Sequence, residues 1–389
     1  MLTSALGVSV LGITVILGVA TLFSTKRDHI KWDVVAKGFL LQLALAYGIL
    51  RTETGKYIFE CLASGFSTVY AFADKGSEFV FGPLSNPDLT WSWPIFAVKV
   101  IPIIIFFGAL TSLLFHLRVV QWLVSGISHV VRPLLGTTGP ETLCATANSM
   151  LGQTEAPLLI KNYLKVMTES EMLVVMISGF ATLSGALLAV YGSMGVSMHH
   201  LLTASVMAIP GSLVVAKILI PETAKSKTGD AEVCMEPETE NVLDAISTGT
   251  SDGLNLAANV AAMLIAFISL IALLNYLLQL GTGYILPTPI DLEFIFGKLF
   301  AGVAWLMGIG YGELESAGAL LGTKLVVNEF VAYSNMKAAM LSARTQNLLT
   351  YALCGFSNFS CIGIQIGGIG ALVPSKRSQL TRLGMRALL

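Results

Sequence analysis

Two short polar clusters interrupt otherwise apolar sequence, and each carries a single glutamate. The first is Asn148-Ser149-Met150-Leu151-Gly152-Gln153-Thr154-Glu155-Ala156-Pro157, and the second runs from Gly322 through Lys324, Asn328, Glu329 and Phe330 to Tyr333. A carboxylate at membrane depth costs roughly 2.5–3.5 kcal/mol on insertion scales, so it must face protein, water, an ion or a substrate. Gly152 and Pro157 interrupt helical geometry, and a helix broken at such depth is tolerated only beside a polar cavity. A short extramembrane loop is the alternative for this first cluster. In the second, an ionised Glu329 can only accept hydrogen bonds, which suits the hydroxyls of a sugar. Its alternative is an ion pair with Lys324, but a separation of five is poor for a helical pair. Thr182 and Asn358 are further polar positions in apolar runs. A lone threonine commonly bonds back to its own helix, whereas Asn358, with Ser357, Ser360 and Cys361 beside it, needs several partners. Phe356, on its own, reads as core packing.

Elements that span a bilayer must position these residues. The chain is 54% hydrophobic and 12% charged, about half the charge of a soluble domain, which averages about 25%. A net charge of −1 argues against nucleic-acid binding, which needs a concentrated basic patch. The five scattered cysteines lack the spacing of a disulfide framework or zinc site. A spanning helix needs roughly 20 apolar residues, and the candidates are 2–23, 34–50, 94–115, 172–194, 200–220, 255–280 and 346–371. The run 2–23 has no basic residue ahead of it and no cleavage pattern, so it reads as a retained span. Stretches 119–135 and 294–309 are amphipathic and fit an interfacial position. Stretches 141–165 and 313–342 read as re-entrant hairpins.

Positive charge places the sides. Lys26, Arg27, Lys31, Arg118, Arg132, Lys161, Lys165 and the basic C-terminal segment fall inside if both hairpins return to their own side. Region 51–93 then lies outside. The polar stretch 221–241, with six acids after Pro221, becomes a cytoplasmic loop. An internal echo supports this topology: Gly179-Phe180-Ala181-Thr182-Leu183-Ser184 is similar to Gly355-Phe356-Ser357-Asn358-Phe359-Ser360. Each copy follows a glutamate, Glu155 by 24 residues and Glu329 by 26. Inverted repeats with discontinuous helices are typical of secondary transporters. The expected fold is therefore an all-α polytopic membrane protein, built of inverted repeats with two re-entrant helical hairpins. Its parts are N-terminal spans with an extracellular interfacial region (1–93), a first repeat (94–220), the loop 221–241 and a second repeat (242–389).

Gly322-x-Lys324-x-x-x-Asn328-Glu329-Phe330-Val331-x-Tyr333 resembles the signature of the concentrative nucleoside transporter family. Gly152-Gln153-Thr154-Glu155-Ala156-Pro157-Leu158 is similar to that family's first hairpin tip, and Cys354 through Ser360 to its late transmembrane motif. The resemblance runs from about residue 94 to the C-terminus. It implies a homotrimer in the bacterial inner membrane, with a scaffold and a transport subdomain in each protomer. By position, Gln153, Thr154 and Glu155 face the nucleobase and Leu187 lines its side, while Glu329 and Asn358 hold the ribose with Phe356 close by. Cys361 stands where bacterial relatives often have a ribose-contacting serine, and a thiol is a weak partner. The family's sodium site maps to the side chains of Asn148 and Thr182 and the carbonyls of Leu151 and Leu183. The family normally closes with a further span after the basic segment, whereas this sequence stops at Leu389.

The expected function is sodium-coupled import of nucleosides such as uridine and adenosine by alternating access, with sodium as coupling ion and no other cofactor. A proton-coupled nucleoside or nucleobase carrier is the alternative in the same class. A membrane hydrolase would need Glu155 and Glu329 as acid and base, but the sequence has no HExxH, GxSxG or P-loop. A channel is a third possibility, and paired hairpins suit an occluding carrier better.

Overall fold

The computed structural model describes residues 2–85, 96–228, 239–283 and 290–389. Cys234 and residues 229–238 of the loop 221–241 lie outside the described residues, as does the end of region 51–93. Three helices open the chain: α1 (Leu2–Leu22), α2 (Trp32–Arg51) and α3 (Glu53–Phe81). The third was not foreseen in a region read only as interfacial. Thr52 starts it by accepting the Gly55 backbone N–H at 3.0 Å, a regular N-cap.

Two series of elements follow in the same order. The first is α4 (Phe96–His116), α5 (Val119–Leu135), a hairpin from α6 (Gly139–Asn148) through a 3-10 turn at Ala156–Ile160 to α7 (Lys161–Leu164), a broken helix α8 (Glu169–Ala181) and α9 (Gly185–Ser193), and α10 (Met198–Leu219). The second is α11 (Val242–Thr282), α12 (Leu292–Leu306), a hairpin of α13 (Leu314–Val326) and α14 (Glu329–Ala338), a broken helix α15 (Ala343–Leu353) and α16 (Phe359–Leu372), and α17 (Arg377–Leu388). The pairing repeats as well: α5 lies on α6 as α12 lies on α13, and α4 packs along α11. No strand occurs among the described residues.

Sequence periodicity explains the supporting helices. In α5, Val120, Val124, Val131 and Leu135 are buried while Trp122, Val130 and Leu134 are exposed, a one-faced helix at spacings of four and seven. The run 172–194, read as one continuous span, is interrupted at 182–184, and 346–371 is interrupted at 354–358. Both interruptions fall in the echoed motif, whose Ser184 hydroxyl and Asn358 amide cap the chain where the helix restarts. The span 255–280 is part of a much longer helix, Val242–Thr282. Its first turns are rich in Ser, Thr and Gly, which hydropathy alone does not count as helix. Among the described residues, five helical runs are long and apolar enough to cross a membrane, the broken pair α8 and α9 counted as one.

Burial separates the inside of the molecule from its wall. Ser170 through Phe180 of α8 are all buried. By contrast, α11 leaves Leu254, Ile265, Ile268, Leu270, Leu273, Leu274 and Leu277 exposed. The start of the first hairpin is pinned to α10 by Lys217, whose Nζ lies 2.7 Å from Glu141 Oε2. Glu141 also closes a capping box by accepting the Thr138 N–H at 2.8 Å.

Candidate substrate and cation site

The first helix break holds a set of oxygens. Thr182 and Ser184 are extended (φ −125°, ψ 167° and φ −71°, ψ 153°), which ends α8 and starts α9. The Gly185 N–H donates to the Met150 carbonyl at 3.0 Å, tying the break to the hairpin tip. Asn148, wholly buried at the end of α6, donates its Nδ2 to Ser178 Oγ at 2.9 Å, but its Oδ1 is buried without a partner. Thr182 donates its hydroxyl to the Ser178 carbonyl at 2.8 Å, so its oxygen lone pairs remain free. Leu151 and Leu183, which supply the other two predicted ligands, are buried in the same tip and break. An orphaned buried amide oxygen costs about 1–3 kcal/mol. Hard cations take oxygen ligands, so this donor set fits a small monovalent cation.

The second hairpin and second break are built differently. Asn328 caps α14 by accepting the Val331 N–H at 3.0 Å, which places Glu329 in the first turn, where a helix N-terminus favours negative charge. Asn358 caps α16 by accepting the Cys361 N–H at 3.0 Å and the Ser360 hydroxyl at 2.7 Å. Its Nδ2 donates to Glu329 Oε2 at 3.3 Å, and the Tyr191 hydroxyl donates to Oε1 at 3.0 Å. Glu329 is only 4% exposed. Tyr191 is itself held by Tyr333, their rings 4.6 Å apart, and Tyr333 donates to the Thr350 carbonyl at 2.8 Å. Lys324 donates its ammonium to the Ala352 carbonyl at 2.7 Å, and no ion pair joins it to Glu329 among the described residues. A Cβ at Gly355 would lie 2.7 Å from the Phe180 carbonyl oxygen. The two breaks therefore meet backbone to backbone, and only glycine fits there.

The predicted base-facing residues divide. Gln153 is buried and donates its Nε2 to Cys361 Sγ at 3.3 Å, which links the first hairpin tip to the Asn358–Glu329 group. Thr154 lies against Gly368 of α16. Leu187 is buried in the cluster that contains Tyr191 and Tyr333, and Phe356 packs against it. Glu155 points elsewhere. It is exposed on a cavity of about 590 Å³ between α4, the hairpin and α11, which it shares with Asp252, Thr111 and Thr248. A volume of roughly 300–1,000 Å³ is usual for a small-molecule pocket. Glu155 thus borders a cavity, whereas Glu329 sits in a buried hydrogen-bond network. Glu155 stands where the tip turns into the 3-10 segment, and its carboxylate folds back onto the Gly152 backbone N–H. The cavity also reaches Met150, Leu151, Gly152 and Ser184, so it ends on the first break.

Four residues of this arrangement escaped sequence reasoning: Ser178, Tyr191, Asp252 and Gln365, whose Nε2 donates to Gln153 Oε1 at 3.1 Å. Gln365 lies seven residues after Asn358, on the same face of α16, and an amide at that spacing was a usable signal. After Asp244, Asp252 is the sole charged residue of α11, which is also readable. Ser178 and Tyr191 carry no local signal.

Residues 11–84 and 200–389 match the families described as Na+ dependent nucleoside transporter N-terminus and C-terminus, and residues 97–198 match the family described as nucleoside recognition. The chain is 37% identical to the nucleoside permease NupC of Helicobacter pylori, over 98% of this chain and 93% of that protein. It is 36% identical to the human sodium/nucleoside cotransporter 1, over 95% of this chain and 59% of that longer protein. Its fold is similar to that of CNTnw in an inward-facing substrate-bound state, with a TM-score of 0.94 and 37% identity, covering 99% and 94% of the two chains. A CNTnw variant in an outward-facing state matches with a TM-score of 0.93 and 36% identity, covering 98% and 93%.

Proposed function

We propose that this chain, which belongs to the Na+ dependent nucleoside transporter family, imports nucleosides such as uridine and adenosine by sodium-coupled symport. It is a multi-pass membrane transporter of the inner membrane and not an enzyme. The observation that carries the coupling is the buried, partnerless Oδ1 of Asn148 beside the first helix break. A sodium ion there completes the hydrogen-bond-free oxygen and gains Thr182 and the carbonyls of Leu151 and Leu183 as ligands.

The ribose hydroxyls donate to Glu329. Each of its oxygens already accepts one protein donor, and a carboxylate has about four lone-pair sites, so two hydroxyls add without displacing Tyr191 or Asn358. Gln153 and Thr154 face the base, with Leu187 and Phe356 at its side. Glu155 meets the nucleoside from the cavity along α11, which is the path between site and solution. Sodium organises the tip that carries Gln153, so the ion and the nucleoside each favour binding of the other. The loaded hairpins and broken helices then move against α4 and α11. The exposed apolar face of α11 is covered by lipid and by two further copies in a homotrimer.

Uptake of labelled uridine and adenosine into proteoliposomes, with sodium and proton gradients imposed separately, tests this. Concentrative uptake driven by sodium alone is expected. Uptake that persists in choline and follows the proton gradient would replace sodium with a proton.

A further inference from the structure

Gln365 lies outside every motif that led to the site, yet it is fully buried and reaches the tip of the first hairpin from α16. Its Nε2 donates to the Met176 carbonyl of α8 at 3.0 Å and to Gln153 Oε1 at 3.1 Å. The carbonyl of Met176 can only accept, so the Gln365 atom facing it must be the amide nitrogen. That atom then donates to Gln153 as well, and the Gln153 atom facing it must be oxygen. Gln153 Nε2 is thereby turned to the other side, toward Cys361 Sγ. One backbone carbonyl thus sets the direction of two side-chain amides. The geometry depends on Gly179 of the echoed motif: a Cβ there would lie 2.5 Å from Gln365 Nε2 and 2.9 Å from the Gln153 Cβ. A fixed amide direction is wasted on packing, because both orientations have the same shape.

From this chain of hydrogen bonds we propose that Gln365 is a positioning residue for base selectivity. It holds Gln153 with its N–H end toward the substrate, so that the carrier prefers a pyrimidine with an acceptor oxygen at its 4-position over one with an amino group there. The inference rests on the reading that Gln153 faces the base. A site built to donate rejects an analogue that presents another donor, because a polar group is then left unpaired.

The test compares uridine with cytidine uptake efficiency (kcat/KM) in proteoliposomes for the wild type, Gln365→Glu, Gln365→Leu and Gln153→Leu. In its neutral form a glutamic acid at 365 donates its single O–H to the Met176 carbonyl, and the same hydroxyl oxygen, with no second hydrogen, can only accept from Gln153, which must turn round and present oxygen to the base. Wild type is expected to prefer uridine, Gln365→Glu to shift the uridine-to-cytidine ratio about tenfold toward cytidine, and Gln365→Leu to shift it less. Sodium stimulation should persist in all of them. An equal fall for both nucleosides in both Gln365 variants would mean a merely structural role and overturn the proposal. If Gln153→Leu moves the ratio and neither Gln365 variant does, the inference fails while the reading of Gln153 stands. A ratio unmoved by all three variants removes both.

Discussion

The two hairpins of this protein carry similar residues in opposite states. At the end of α6, Asn148 has an amide oxygen that is buried and bonded to nothing. At the start of α14, Glu329 has both oxygens engaged, one by Tyr191 and one by Asn358. The difference separates two tasks. An oxygen left bare in the protein interior waits for a cation, because only an ion or water can repay its lost hydration. A carboxylate already held by two donors is oriented in advance, with lone pairs left to accept hydroxyls from a ligand. On the function proposed above, the first hairpin is the ion half of the site and the second the sugar half, joined by the Gln153–Cys361 contact.

Substitutions can break or sharpen this contrast. The largest effect is expected for Glu329→Gln. An amide keeps the shape but presents an N–H toward Tyr191 or Asn358, and hydrogen bonds to a charged group are worth about 1.5–3 kcal/mol. Uridine uptake should fall about a hundredfold or more while the protein still reaches the membrane. Wild-type uptake by this variant would remove Glu329 from the mechanism. Asn148→Ala comes next. Sodium activation should shift to concentrations about tenfold higher or vanish, consistent with the loss of one ligand from an oxygen set of this kind. At saturating nucleoside without sodium, the variant and the wild type should behave alike.

Tyr191→Phe removes one donor from Glu329 and keeps the ring packed on Tyr333. The expected result is a rise of about tenfold in the uridine KM, with the sodium dependence unchanged. A changed sodium dependence would mean that the two halves are not separable. The smallest effect is expected for Glu155→Gln. Glu155 lies on the cavity wall with Asp252 rather than in the buried network, and an exposed carboxylate is screened by water, so a change of a few-fold at most is predicted. A loss as severe as that of Glu329→Gln would show that Glu155 swings inward during transport.

Sequence alone shows both hairpins, because Gly152, Pro157, Asn328 and the two glutamates are costly in an apolar run and leave few alternatives. It shows the repeat too, through the echo around Thr182 and Asn358. The helix breaks within 172–194 and 346–371 are masked by hydropathy: Thr182-Leu183-Ser184 is apolar enough to pass as helix interior, and only the caps at Ser184 and Asn358 reveal where the helices restart. The long α3 is hidden in the sequence because its lysines and glutamates break the apolar count, although Glu53, Glu60, Lys75 and Glu78 are exposed on the folded helix. Side-chain direction is the remaining gap. Gln153 and Glu155, two residues apart, face a buried network and an open cavity respectively, a choice made by the backbone turn at the tip, which no pattern of residue types encodes. Tyr191 is invisible for the same reason, since a tyrosine in an apolar helix says nothing of the carboxylate it will meet from another element.

The division of labour between the hairpins is tested most directly by equilibrium binding of uridine to the purified protein in sodium and in choline, for the wild type and Asn148→Ala. Sodium should tighten uridine binding to the wild type about tenfold, and uridine should tighten sodium binding by the same factor; the variant should show neither effect and bind uridine as the wild type does in choline. Uridine affinity indifferent to sodium in the wild type would contradict an ion site at Asn148 coupled to a nucleoside site at Glu329.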